Sequence, residues 1–158
     1  MRTIWLSIAA LLAAAGGLAA GDAPLDRATL RGLKAVNIVL DRLDPELERA
    51  GITAAAVSAR LHERLARAGI KTDPGAVEFL GMRVLQVRGG RGPYAVSLAL
   101  GLYQPVLLVR DRNVKNATPT WEVETVLMAN PKQVEEAALT SVDELAASFV
   151  AAWRSVNP

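Results

Sequence analysis

Residues Tyr94 to Tyr103 alternate almost without a break. Val96, Leu98, Leu100 and Leu102 share one parity, and Ala95, Ser97, Ala99 and Gly101 share the other. A period of two marks a strand, because successive side chains leave opposite faces of the pleat. Neither face is strongly polar, which predicts a central strand. The small face predicts close approach by a helix. The large face, Val96, Leu98, Leu100 and Leu102, is then left without a cover and is the expected partner-binding surface.

The neighbouring segments read by the same periods. Leu33 to Leu43 is apolar on both parities and predicts an inner strand, with Asn37 needing hydrogen-bond partners if buried. Asp44-Pro45 followed by Gly51 predicts one short helical turn, with Asp44 as its cap. Thr53 caps a helix over Ala54 to Ala68 that stops at Gly69. Its stripe is Ala54, Val57, Leu61, Leu65 and Ala68. Ile70 to Pro74 reads as a linker with room for a short edge strand. Ala76 to Arg88 reads as a long strand. Gly89-Gly90-Arg91-Gly92-Pro93 is a strong turn signal, so this strand and Tyr94–Tyr103 form an antiparallel hairpin. The second arm has room to continue through Val106 to Val109, with Pro105 at a bulge or edge.

Asp111 to Pro119 is polar and predicts a loop. Thr120 to Met128 predicts a strand with Trp121, Val123, Thr125 and Leu127 on one face, and Glu122 and Glu124 meeting water on the other. The last helix runs from about Lys132 to Val156, with the stripe Val134, Ala138, Val142, Leu145, Phe149, Ala152 and Val156. The expected fold is an α/β (α+β) two-layer sandwich, β-α-β-β-β-α. A mixed, mainly antiparallel sheet of about four strands carries two helices on one face.

Composition changes this picture at the N-terminus. Arg2 precedes an apolar run from Ile4 to Ala13, and Gly16 to Ala20 is rich in small residues, the layout of a secretory signal peptide. Cleavage is expected after Ala19 or Ala20. The domain map is therefore a signal peptide at 1–20, a flexible polar leader at 21–30 and one α/β domain at 31–158. The expected location is periplasmic or secreted from a bacterium, with no stable membrane anchor after cleavage. The chain has 158 residues, no cysteine and a net charge of only +2. Cysteine chemistry is excluded, and the charge makes no case for nucleic acid.

Catalytic signals are weak. The one histidine, His62, follows stripe residue Leu61 and points to solvent. A lone histidine without cysteine is a poor metal site, and no serine sits in a G-x-S-x-G context. No metal and no cofactor are expected. Glu122 and Glu124 fall side by side on one face, so a hydrolase-like enzyme would use them. On an edge strand such carboxylates keep the sheet soluble. Arg60, Arg64 and Arg67 line one side of the first helix, a docking stripe for an anionic partner. Arg88 and Arg91 at the hairpin tip, and Arg110, Arg112 and Lys115 further on, read as solvated loop charges.

The order of elements resembles the small exported domains of the TolB N-terminal and LpoB/CsgG-like type. The matching stretches are Leu33–Leu40, the helix end Leu61-His62-Glu63-Arg64-Leu65-Ala66-Arg67-Ala68-Gly69-Ile70, and Val142–Trp153. There is no lipobox cysteine. The resemblance implies a protein-binding module of the bacterial envelope. The expectation is thus a non-enzymatic binding or accessory module whose partner is another envelope protein or a second copy of itself. A carrier holding a small molecule or lipid on its apolar sheet face is the alternative.

Overall fold

In the computed structural model, residues 21–88 and 92–158 are described. The expected signal segment and the turn at Gly89-Gly90-Arg91 lie outside them. The chain folds as α1 (Pro24–Ala28), β1 (Ala35–Leu40), α2 (Pro45–Arg49), α3 (Ala54–Arg67), β2 (Lys71–Thr72), β3 (Phe79–Arg88), β4 (Tyr94–Leu108), β5 (Asp111–Ala129) and α4 (Val134–Val156). The caps follow the local chemistry. The Asp44 carboxylate accepts from the Glu46 amide at 2.7 Å, and the Thr53 hydroxyl accepts from Ala56 at 3.2 Å. Gly51 and Gly69 leave α2 and α3 with φ of 93° and 79°, a conformation that other residues adopt only under strain.

The sheet has five strands in the order β2-β1-β3-β4-β5. β1 runs parallel to β2 and β3, and β3, β4 and β5 form an antiparallel meander. The α/β class is as expected. The strand beyond the expected four is β2, the short edge piece inside the 70–74 linker.

The core lies between α3, α4 and one sheet face. α3 buries Val57, Leu61 and Leu65 against β1 and β2. α4 buries Val134, Ala138, Val142, Leu145, Phe149 and Ala152 over β4 and β5. The Trp121 and Phe149 rings meet edge to face, with centroids 5.3 Å apart.

This arrangement reverses the expected sides of β4. Val96, Leu98, Leu100 and Leu102 lie fully buried beneath the helices, so they are core and not the expected partner-binding surface, and the face of Ala95, Ser97, Ala99 and Gly101 is the one without a helix. The reason lies in the neighbouring strands. The register sets Arg83 of β3 beside Ala99 and Glu124 of β5, and sets Glu122 beside Gly101. A helix on the small face would desolvate those charges, at a cost of several kcal/mol each. On the large face, each buried Leu or Val contributes about 1.5–3 kcal/mol.

Two further segments differ from expectation. Asp111 to Pro119, read as a loop, is the first half of β5. It pairs with Tyr103–Leu108 in a two-stranded arm, Thr120 being the extra residue where the register shifts. The segment 21–30, read as a flexible leader, instead contains α1 and ends in the fully buried Leu30.

The two faces of β4 and β5 predict opposite mutational costs. Leu98→Ala should lower unfolding free energy by about 2–5 kcal/mol. Val126→Ala, on the open side, should change it by less than about 0.5 kcal/mol. Chemical denaturation followed by circular dichroism checks both, and equal losses would contradict the assignment of faces.

Candidate functional site

The open sheet face is built in rows across β3, β4 and β5. At one end run Leu85–Ser97–Val126 and Val87–Ala95–Met128. Their four large side chains are between 56% and 74% exposed. Because β4 contributes only Ala95 and Ser97 here, the surface is two apolar ridges with a shallow floor between them. The next rows carry the charge, Arg83–Ala99–Glu124 and Gly81–Gly101–Glu122.

Beyond those rows the Phe79 and Tyr103 rings stack in parallel, with centroids 4.8 Å apart. The Tyr103 ring leans over Gly81, where a Cβ would come within 2.7 Å of it. The glycine leaves the room that this stack occupies. Val39, Asp41, Arg83, Ala99 and Glu122 join the rings around a small hollow.

The candidate carboxylates Glu122 and Glu124 both lie on this open face. A guanidinium nitrogen of Arg83 lies 3.5 Å from Glu122 Oε1, and Glu124 is solvent-exposed. Among the described residues, no cluster of three or more His, Asp or Glu side chains is arranged to hold a metal. His62 is exposed, with Nδ1 3.2 Å from the Thr72 hydroxyl.

The arginine stripe has a partner inside the molecule. Arg60 Nη1 and Arg64 Nε donate to the two oxygens of Asp143 on α4, at 2.6 and 2.8 Å. Arg67 pairs with Glu63 one turn back on its own helix. The convergence on Asp143 explains why like charges recur at this spacing: one carboxylate ties α3 to α4. The Arg64 hydrogen bond, and then the charges of both arginines, hold the Asp143 carboxyl below the usual aspartate value despite its partial burial.

Sequence reasoning missed the lock on the leader. The Asp22 carboxylate accepts from Trp121 Nε1 at 2.7 Å, and from Arg27 at 2.6 and 2.8 Å. These donors hold its pKa down, the Arg27 bond foremost. The Gly21 carbonyl accepts from the Glu122 amide at 3.2 Å, so the leader covers part of the outer edge of β5. A partial signal was available in Pro24 at the first helical position and Asp26 in the first turn, where the Asp26 carboxylate accepts from the Ala23 amide.

No protein-family model and no curated protein matches the chain. Among solved structures, a PelC dodecamer from Paraburkholderia phytofirmans is similar at 15% identity and a TM-score of 0.43. That similarity spans 75% of this chain and 87% of that one. A minor lipoprotein from Acinetobacter baumannii is similar at 11% identity and a TM-score of 0.34, over 75% of this chain and 91% of its own.

Two predictions follow from these locks. Asp143→Asn should cost about 1–2 kcal/mol at neutral pH, the scale of hydrogen bonds to charged groups that remain partly exposed. Pairing lowers the folded pKa, so this contribution is complete above the ordinary value of 3.8 and is lost as pH falls through the lower folded value. Wild type and variant should therefore converge in strong acid, and a gap that persists there in denaturation curves would exclude the pairing as its source. Gly21→Ala should release the leader, because φ is 89° and the new Cβ would clash with the Glu122 carbonyl oxygen. Faster hydrogen exchange at the Glu122 amide, with core amides unchanged, is the expected readout.

Proposed function

We propose that this protein is an exported, non-enzymatic binding module of the bacterial envelope, acting through protein–protein contacts at the open end of its sheet, and that a second copy of the chain is the partner this surface fits. The observation that carries the reading is the apolar pair of ridges, Leu85 with Val87 and Val126 with Met128. Adjacent apolar ridges are a poor solution for a face that stays in water.

Charge supports self-association in particular. Arg83, Glu122 and Glu124 border the ridges, so one face offers both signs. In a two-fold pairing the same patch meets itself, which allows Arg83 of each copy to face a carboxylate of the other. Export is supported by the layout of residues 2–20. No helix among the described residues is long and apolar enough to cross a membrane.

Light scattering on protein purified after expression of the full chain tests the reading. The expected result is a monomer–dimer equilibrium that moves with concentration. Replacing both Val126 and Met128 by Asp should weaken it at least about tenfold, since two exposed apolar anchors are lost and like charges are brought together. A wild-type protein that stays monomeric over the whole concentration range, or a double variant that dimerises equally well, would overturn it.

A further inference from the structure

β4 and β5 run on past the rest of the sheet. β3 stops opposite Tyr103, and from Gln104 to Leu108 and Asp111 to Thr118 the two strands pair only with each other. At the turn, Val109 is 95% exposed, and Leu107 and Val114 are exposed beside it. Arg110, Arg112 and Lys115 are exposed as well. None of the three has an ion-pair partner among the described residues. The one acid on the arm, Asp111, accepts a hydrogen bond from the Asn113 amide at its own turn. Three cations against one acid give the arm a surplus of two positive charges.

We infer that this arm is a peripheral membrane contact, its apolar tip entering the headgroup region of an anionic phospholipid surface while Arg110, Arg112 and Lys115 meet the phosphates. Edge strands are commonly protected by charge alone, and charge alone would explain the cations. It does not explain why an uncovered valine sits at the very tip, flanked by other exposed apolar residues. Apolar residues at the point with cations around them are what an interfacial anchor needs, because burial of apolar area and attraction to anionic lipid add. The arm also leaves the sheet at the end opposite Val87 and Met128, so lipid binding leaves the ridges free. This goes beyond the proposed function and does not require self-association.

Co-sedimentation of the full-chain protein with vesicles tests the inference. One set is phosphatidylcholine alone, and the other is phosphatidylcholine and phosphatidylglycerol in equal parts. Binding should be at least about tenfold stronger to the mixed vesicles. Replacing Arg110 and Arg112 together by Gln should remove that preference, and Val109→Ser should weaken binding about tenfold at unchanged charge. Both variants alter exposed residues of the arm, and circular dichroism confirms that they fold. Three results would overturn the inference: no binding to mixed vesicles, undiminished binding by both variants, or retention on immobilised polyglutamate without vesicle binding, which would assign the arm to an acidic protein.

Discussion

The register between β3, β4 and β5 is the constraint on which the structure depends. It lines up Arg83 and Glu124 across Ala99, and Glu122 across Gly101, so the sheet acquires one face that tolerates charge and one that does not. A slip of one residue would turn every side chain of a strand to the opposite face, moving charges under the helices and leucines into water. The placement of α3 and α4 follows. So does the open position of the Leu85–Val87 and Val126–Met128 ridges, which take their shape from the small side chains of β4 between them.

Polar locks then fix what the apolar core leaves adjustable. Helix packing alone permits a spread of crossing angles, whereas two guanidinium groups on the single carboxylate of Asp143 hold α3 and α4 at one relative position. Asp22 does comparable work at the other side of the fold, joining α1 to Trp121, whose ring also packs on Phe149. The indole is therefore the meeting point of leader, sheet and long helix. The Tyr103–Phe79 stack over Gly81 is the corresponding filler on the open face.

What could be read from the chain was what depends on near neighbours. The stripe of α4, the Thr53 and Asp44 caps, and the hairpin of β3 and β4 are all set within a few residues, and each is found where its pattern places it. The sidedness of β4 could not be read from β4, because neither of its faces carries a charge. The deciding residues, Arg83, Glu122 and Glu124, belong to the strands on either side. The arm at Asp111–Pro119 escaped for a different reason: a two-stranded ribbon with water on both faces has no buried side to impose alternation. The arginine stripe was visible as spacing, but its partner Asp143 lies 79 residues from Arg64, beyond any local pattern.

The docked leader has a consequence for the order of folding. Asp22 must wait for Trp121, 99 residues further along, and Leu30 must wait for a core that includes the last helix. The meander of β3, β4 and β5 closes only short connections, while the parallel pairing of Asn37 with Phe79 and the leader contacts close much longer ones. In a chain made from its N-terminus, the leader is thus made before the partners on which it docks. Until α4 is made, the core that buries the side chain of Leu30 is incomplete. During that interval the leader is open to a chaperone or a protease.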